Sequence, residues 1–175
     1  LVAQPLACLW GDEQLGAMFA CGDSINPGRL YYSNTHNPDS TTELNFIDIT
    51  PPSEPLQNGV VYNLRSYVFS SERMFQVMPT GNLQAPWIAQ EIPGGHGLFS
   101  RWAITRSSAP FIAFLGKDGI YGTVGGEPVS LTDADLYNLF PSEGNIGNTI
   151  NTIGPPNIIS CLLYTSPSPR DRQKT

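Results

Sequence analysis

Glycine and proline recur along this chain too densely for long helices. The sequence contains 17 Gly and 16 Pro. Proline removes a backbone hydrogen-bond donor, and glycine is entropically costly inside a helix. No window keeps a 3.6-residue apolar period, whereas short runs of aromatic and β-branched residues alternate with turn residues. The pattern predicts an all-β fold with few helices.

The composition indicates a folded chain with a weakly charged surface. Hydrophobic residues make up 40% of the 175 residues and charged residues 14%, which is too apolar for a disordered chain. The net charge of −6 repels phosphate, so we expect no nucleic-acid partner. No stretch approaches the ~18 apolar residues of a membrane span. Residues 1–9 lack the basic start of a signal peptide, and we expect the chain to begin inside a longer protein.

The C-terminal residues 161–175 are treated separately from the fold. The run CLLYTSPSPRD at 161–171 back-translates without a mismatch into an adapter of transposase-based sequencing libraries. We therefore expect residues 161–175 to be adapter-derived, the alternative being a natural polar tail. Without Cys161, Cys8 and Cys21 remain, too few for a disulfide framework. We interpret both as small buried thiols, with a bond across a hairpin left open.

Three series of short strands are visible between residues 22 and 140. Turn residues separate them, and we place blade-like units at about 22–56, 57–98 and 99–140. Asn63-Leu64 is interpreted as a tight turn and Asp118-Gly119 as a type I′ hairpin turn. Residues 133–140 begin with acidic residues and carry leucines on one side, which predicts one short helix.

The series repeat with a period of about 45 residues. Phe69 aligns with Phe114, Phe75 aligns with Tyr121 after one inserted residue, and Arg29-x-Tyr31 aligns with Arg65-x-Tyr67. A period of ~40–50 residues with four strands per unit is typical of propeller blades. We expect residues 1–160 to be a fragment of a β-propeller, with two blades and a partial third. A β-sandwich is the alternative. The aromatic residues predicted to fill the layers between blades are Tyr31, Tyr67, Phe69, Phe75, Phe111 and Tyr121.

Several short runs between residues 22 and 140 follow one another in a characteristic order. They are PGRLYYS (27–33), NPDS (37–40), NFIDI (45–49), EPL (54–56), RSYVF (65–69), ERMF (72–75) and FIAFLGKDGIY (111–121). In their order, rather than in an invariant motif, these runs resemble β-propeller-type structural proteins of tailed bacteriophages and prophages, and related uncharacterised bacterial proteins. The resemblance implies a structural role, as a rigid spacer or docking platform in a phage tail or neck, and it brings no catalytic residues with it.

A search for chemistry finds no catalytic, cofactor-binding or metal-binding constellation. His36 with Asp39 lacks the further ligands of a metal site and is interpreted as part of a solvated loop. His96 lies in a glycine-rich run without the phosphate-loop pattern. Asp133 and Asp135 lack a calcium ligand set. The carboxylates considered for glycoside hydrolysis, none of which the sequence pairs, are Asp23, Asp48, Glu54, Glu72 and Glu91.

These observations favour a non-enzymatic structural or interaction module of a phage virion. Its expected partners are other virion or surface proteins, or further blades of the same chain, with no cofactor, nucleic acid or membrane span. One alternative is a bacterial propeller, extracellular or cytoplasmic, that binds protein or glycan. Another is a fragment of a propeller enzyme acting on carbohydrate, with part of its site on missing blades.

Overall fold

The computed structural model describes residues 6, 8–12, 15–94, 96–106 and 111–132. They form twelve β-strands, and no helix occurs among them, which confirms the all-β prediction. None of these residues forms a helix long and apolar enough to cross a membrane. The helix predicted at 133–140 and the adapter-like residues 161–175 lie outside the described residues.

The strands form three four-stranded sheets, each an antiparallel meander in chain order. The first sheet also contains β1 and β2, which precede the unit expected at 22–56, and the third sheet has all four strands. The strands are β1 (Cys8–Gly11), β2 (Met18–Cys21), β3 (Arg29–Tyr32) and β4 (Phe46–Asp48) in the first sheet; β5 (Leu56–Tyr62), β6 (Arg65–Ser70), β7 (Met74–Pro79) and β8 (Trp87–Ile92) in the second; and β9 (Ile104–Arg106), β10 (Ile112–Leu115), β11 (Ile120–Thr123) and β12 (Val129–Ser130) in the third.

Two of the predicted hairpin turns connect strands as expected, with one difference in turn type. Asn63 and Leu64 join β5 to β6 with φ of 50° and 62°, the left-handed values of a type I′ turn. Asp118-Gly119 joins β10 to β11, but neither residue has a positive φ. The type I′ prediction there was wrong. The Gly116 N–H instead donates to the Gly119 carbonyl at 2.8 Å, which closes a longer turn.

The second sheet lies between the other two and is buried on both faces. Phe19 of β2 packs between Trp10 and Trp87, with ring centroids 5.8 and 4.9 Å away, and so joins the first sheet to the second. Gly59 is required there because a Cβ atom would lie 2.2 Å from the Trp10 ring. Phe69 contacts Phe114 at 5.0 Å and joins the second sheet to the third. The sheets thus stack through two aromatic layers.

Each strand has a rank, its position from first to fourth in the order of its sheet. Strands of the same rank lie beside one another in successive sheets. The first strands β1 and β5 are in contact, as are the first strands β5 and β9 and the fourth strands β4 and β8. The sheets are therefore stacked in the same orientation, with their first strands gathered on one side of the molecule.

The strand pairing corrects the repeat alignment. Arg29 lies on a third strand but Arg65 on a second strand, so their predicted correspondence was wrong. Phe69 faces the third sheet whereas Phe114 faces the second, so these two are not equivalent either. Val68 pairs with Phe75 as Phe114 pairs with Tyr121, and Val68 is the true counterpart of Phe114.

The corrected repeat runs through the third strands without an insertion. Tyr31, Phe75 and Tyr121 occupy corresponding positions, 44 and 46 residues apart. Arg29 and Arg73 each stand two residues before this aromatic position, and each guanidinium lies over a phenylalanine ring, at 3.7 Å from Phe46 and 5.3 Å from Phe75. An arginine stacked on an aromatic ring at the third strand is thus a shared feature of the first two sheets.

Candidate functional site: a groove between the first two sheets

Two of the carboxylates that the sequence analysis considered are brought together by one arginine. Arg73 Nη2 lies 2.6 Å from Glu54 Oε2, and Arg73 Nη1 lies 2.9 Å from Glu91 Oε2. The Ser70 hydroxyl also donates to Glu54. The hydrogen bonds from Arg73, and secondarily that from Ser70, lower the pKa of Glu54. Glu54 is therefore an ionised structural acceptor and a poor proton donor at neutral pH.

The other three carboxylates are also engaged in structural contacts. Asp48 pairs with Arg29 across β3 and β4 at 2.8 Å, and Glu72 pairs with Lys117 between the second and third sheets. Asp23 accepts a hydrogen bond from the Tyr31 hydroxyl at 2.6 Å. Burial raises the pKa of Asp23, but hydrogen bonds from Tyr31, the Ile25 N–H and Asn26 outweigh that effect and lower it overall. Each of these three carboxylates thus has a partner in an ion pair or a hydrogen bond.

His96 lies in a small polar cleft between the second and third sheets. Its ring stacks on Tyr121 with centroids 3.9 Å apart, and the Tyr121 hydroxyl donates to Asp118 at 2.7 Å. Glu72 and Lys117 close the cleft, which has a volume of about 250 Å³. His36 and Asp39 lie in the exposed β3–β4 loop. No three His, Cys, Asp or Glu side chains in the described ranges come together as a metal site.

A surface groove of about 790 Å³ lies between the first and second sheets. Two corresponding connections form it, residues 33–45 between β3 and β4 and residues 80–86 between β7 and β8. Because strands of equal rank are neighbours, these two loops lie side by side. The described lining residues are Leu15, Tyr32, Ser33, Asn34, Thr35, His36, Thr42, Leu44, Asn45, Pro79, Thr80, Gly81, Asn82, Leu83, Gln84 and Pro86.

Hydrogen bonds within each loop hold the groove walls in place. On one side, Asn45 Nδ2 donates to Asn34 Oδ1 at 2.9 Å, and the Thr42 hydroxyl donates to Asn45 Oδ1 at 2.8 Å. On the other side, the Thr80 N–H donates to the Pro86 carbonyl at 2.9 Å. The walls are thus preformed, as is usual for binding sites.

Two leucines project from these polar loops into solvent. The exposed fraction is 82% for Leu44 and 96% for Leu83, and both line the groove. The described lining contains no Asp, Glu, Lys or Arg. Its aromatic rings are that of Tyr32, which is buried, and the imidazole of His36, which is exposed. The groove therefore combines apolar contacts with hydrogen-bonding groups. The sequence analysis did not predict this groove, for which a leucine in each polar loop was the available signal.

The Glu54–Arg73 contact predicts a pH-dependent contribution to stability. Because the folded-state pKa of Glu54 is lowered, its contribution is present above the unfolded pKa of about 4.3 and is lost as the pH falls through the folded value. We expect Glu54→Gln to cost about 1–2 kcal/mol at pH 7 and to differ little from the unmodified chain near pH 2. Urea unfolding at several pH values measures this.

A matched control is Asp48→Asn, which removes an exposed ion pair with Arg29. The Asp48 side chain is 63% exposed, against 12% for Glu54, so the change is expected to cost less than about 1 kcal/mol at any pH. Equal pH profiles for the two variants would contradict a special role for Glu54.

The chain was compared with protein-family models and with curated protein sequences. No protein-family model matches the chain, and no curated protein sequence matches it.

Proposed function

We propose that this chain is a non-enzymatic interaction module built from β-propeller blades. The observation that carries the proposal is the stacking of three antiparallel four-stranded meanders with strands of equal rank side by side. Propeller blades are sheets of this kind, repeated around an axis near their first strands. Because one blade cannot bury its own faces, each depends on its neighbours.

The middle sheet supports a propeller over a sandwich. A β-sandwich has two packed sheets, each with one face towards the core. Here the second sheet contributes Val68 and Phe75 to one aromatic layer and Phe69 and Met74 to the other. Burial of both faces of one sheet is what serial stacking of blades requires.

The interaction role rests on the groove. Exposed leucines in preformed polar loops are typical of protein recognition, where apolar anchors sit within neutral hydrogen-bonding groups. The absence of Lys and Arg from the described lining argues against a nucleic-acid ligand, and the described lining offers a sugar no exposed Trp, Tyr or Phe ring on which to stack. We propose an extended, uncharged polypeptide segment as the occupant.

A library of random peptides displayed on a carrier tests this occupant. The immobilised full chain is expected to select uncharged peptides with apolar side chains. The double variant Leu44→Ser, Leu83→Ser is expected to bind the selected peptides at least tenfold more weakly, because apolar anchors contribute more than 1 kcal/mol each.

The matched control is Val124→Ser, which changes an exposed apolar residue in the corresponding connection of the third sheet. It is expected to leave peptide binding unchanged. Failure to select any peptide, or equal binding by both variants, would refute the groove as the peptide site. Binding on a glycan array that depends on Leu44 and Leu83 would instead assign the groove to a carbohydrate.

The biological setting is proposed from the sequence resemblance. We propose a docking or spacer role in the tail or neck of a phage particle, with other virion proteins as partners. The alternative setting is a bacterial surface or secreted protein. Tail or capsid genes beside the full-length gene would favour the first, and a secretion signal at its start would favour the second.

A further inference from the structure

Cys8 and Cys21 face each other across the first hairpin. They are direct partners in the β1–β2 register, and both are free thiols buried in the layer between the first and second sheets. Two buried small thiols are normally inert packing residues. Their direct cross-strand pairing is what sets this pair apart.

The ladder places the pair at a separation that suits a disulfide. The Asp12 N–H donates to the Ala17 carbonyl at 2.6 Å, so Asp12 and Ala17 form a hydrogen-bonded pair. Such pairs alternate along an antiparallel ladder, which makes Cys8–Cys21 hydrogen-bonded as well. Their Cα atoms are then about 5.5 Å apart, the separation most common in disulfides.

The surroundings make Cys8 the more reactive thiol. Cys21 hydrogen-bonds to Cys8, and this bond, together with the positive charge of Arg101, lowers the pKa of Cys8 against the effect of burial. The same hydrogen bond and burial raise the pKa of Cys21. A nearby positive charge that lowers the pKa of a thiol raises its thiolate fraction, and Cys21 stands opposite Cys8 as a resolving partner.

The neighbouring strand provides a polar contact for the reduced state. The Cys8 thiol donates to the Gln57 carbonyl at 3.1 Å. Gln57 lies at a bulge where the β5–β6 register shifts, so Gln57 has no direct partner on β6. The Cys8 thiol therefore donates its hydrogen bond to a carbonyl at an irregular point of the second sheet, and oxidation of the thiol would remove that hydrogen bond.

We propose that Cys8 and Cys21 are a reversible disulfide site that fastens β1 to β2 under oxidising conditions. With a small organic disulfide as oxidant, the Cys8 thiolate attacks one sulfur and releases the first thiolate. Cys21 then attacks the Cys8 sulfur of the mixed disulfide and releases the second. One disulfide bond breaks and one forms, and the two thiol protons leave with the two released thiolates.

The test is oxidation of the full chain with 2-hydroxyethyl disulfide in native buffer. The chain has three cysteines. Cys8 and Cys21 are expected to lose one hydrogen atom each and to carry no hydroxyethylthio group, whereas Cys161 can form a mixed disulfide with the reagent. Peptide mapping should find Cys8 joined to Cys21. The melting temperature should rise by roughly 5–10 °C and return on reduction, because a cross-link of this loop length restricts the unfolded chain.

Two variants sharpen the result. Cys161→Ser should still form the bond and reach zero free thiols. Cys21→Ala should stop at the mixed disulfide on Cys8 and show no melting shift. A map of the unmodified chain with Cys8 joined to Cys161, joined between chains, or left unreacted would overturn the proposal.

Discussion

Replacing Phe19 with alanine is expected to lower the free energy of unfolding by about 3–5 kcal/mol, the usual cost of emptying a buried aromatic site. Phe19 is fully buried, and its ring packs between Trp10 and Trp87. Phe19 therefore links Trp10 of the first sheet to Trp87 of the second sheet. Tryptophan fluorescence during urea unfolding measures the effect, because both flanking indoles report on this layer.

Leu9→Ala is the matched control for Phe19→Ala. Leu9 lies on the neighbouring strand of the same hairpin but is 66% exposed, so its loss should change stability by less than about 0.5 kcal/mol. If Phe19→Ala cost as little as Leu9→Ala, the first sheet would not be packed against the second in solution.

Replacing Phe69 with alanine is also expected to lower the free energy of unfolding by about 3–5 kcal/mol, but the loss of structure is expected in a different sheet. Phe69 is fully buried and contacts Phe114 in the layer between the second and third sheets. In a stack where each sheet contacts only its neighbours, loss of one layer should affect the adjoining sheets most. Hydrogen exchange is expected to rise in β9–β12 while β2 and β3 stay protected.

Val124→Ala supplies the comparison for Phe69→Ala. Val124 is an exposed residue at the end of β11, and its truncation should leave exchange unchanged throughout. Equal loss of protection in all three sheets after Phe69→Ala would mean that the stack unfolds as one cooperative unit.

Local sequence signals predicted the all-β class and the positions of two hairpin turns, but not the type of the turn at Asp118-Gly119. Frequent glycine and proline exclude long helices, and alternation of polar and apolar residues marks a strand such as β4, because both effects depend on neighbouring residues only. The Asn63-Leu64 turn also follows from local backbone preference. By contrast, β1 and β2 were not predicted, and the first sheet was predicted to begin too late.

Long-range relations were predicted less well, for a physical reason. Aligning Phe69 with Phe114 matched identical side chains, but strand pairing decides which face a residue occupies, and a one-residue shift reverses that face. The groove escaped prediction because its two loops are far apart in sequence. They meet only because strands of equal rank stack, which no local pattern encodes.

The groove is formed mainly by connections between strands rather than by the stacked sheets. The residues of the proposed binding surface are therefore largely different from the residues that pack the core. The three corresponding connections, residues 33–45, 80–86 and 124–128, become shorter from the first sheet to the third. Lengthening a surface loop adds little to its closure entropy. If the groove binds the proposed peptide, insertions or deletions in these connections would change the choice of peptide while the aromatic layers between the sheets stay the same.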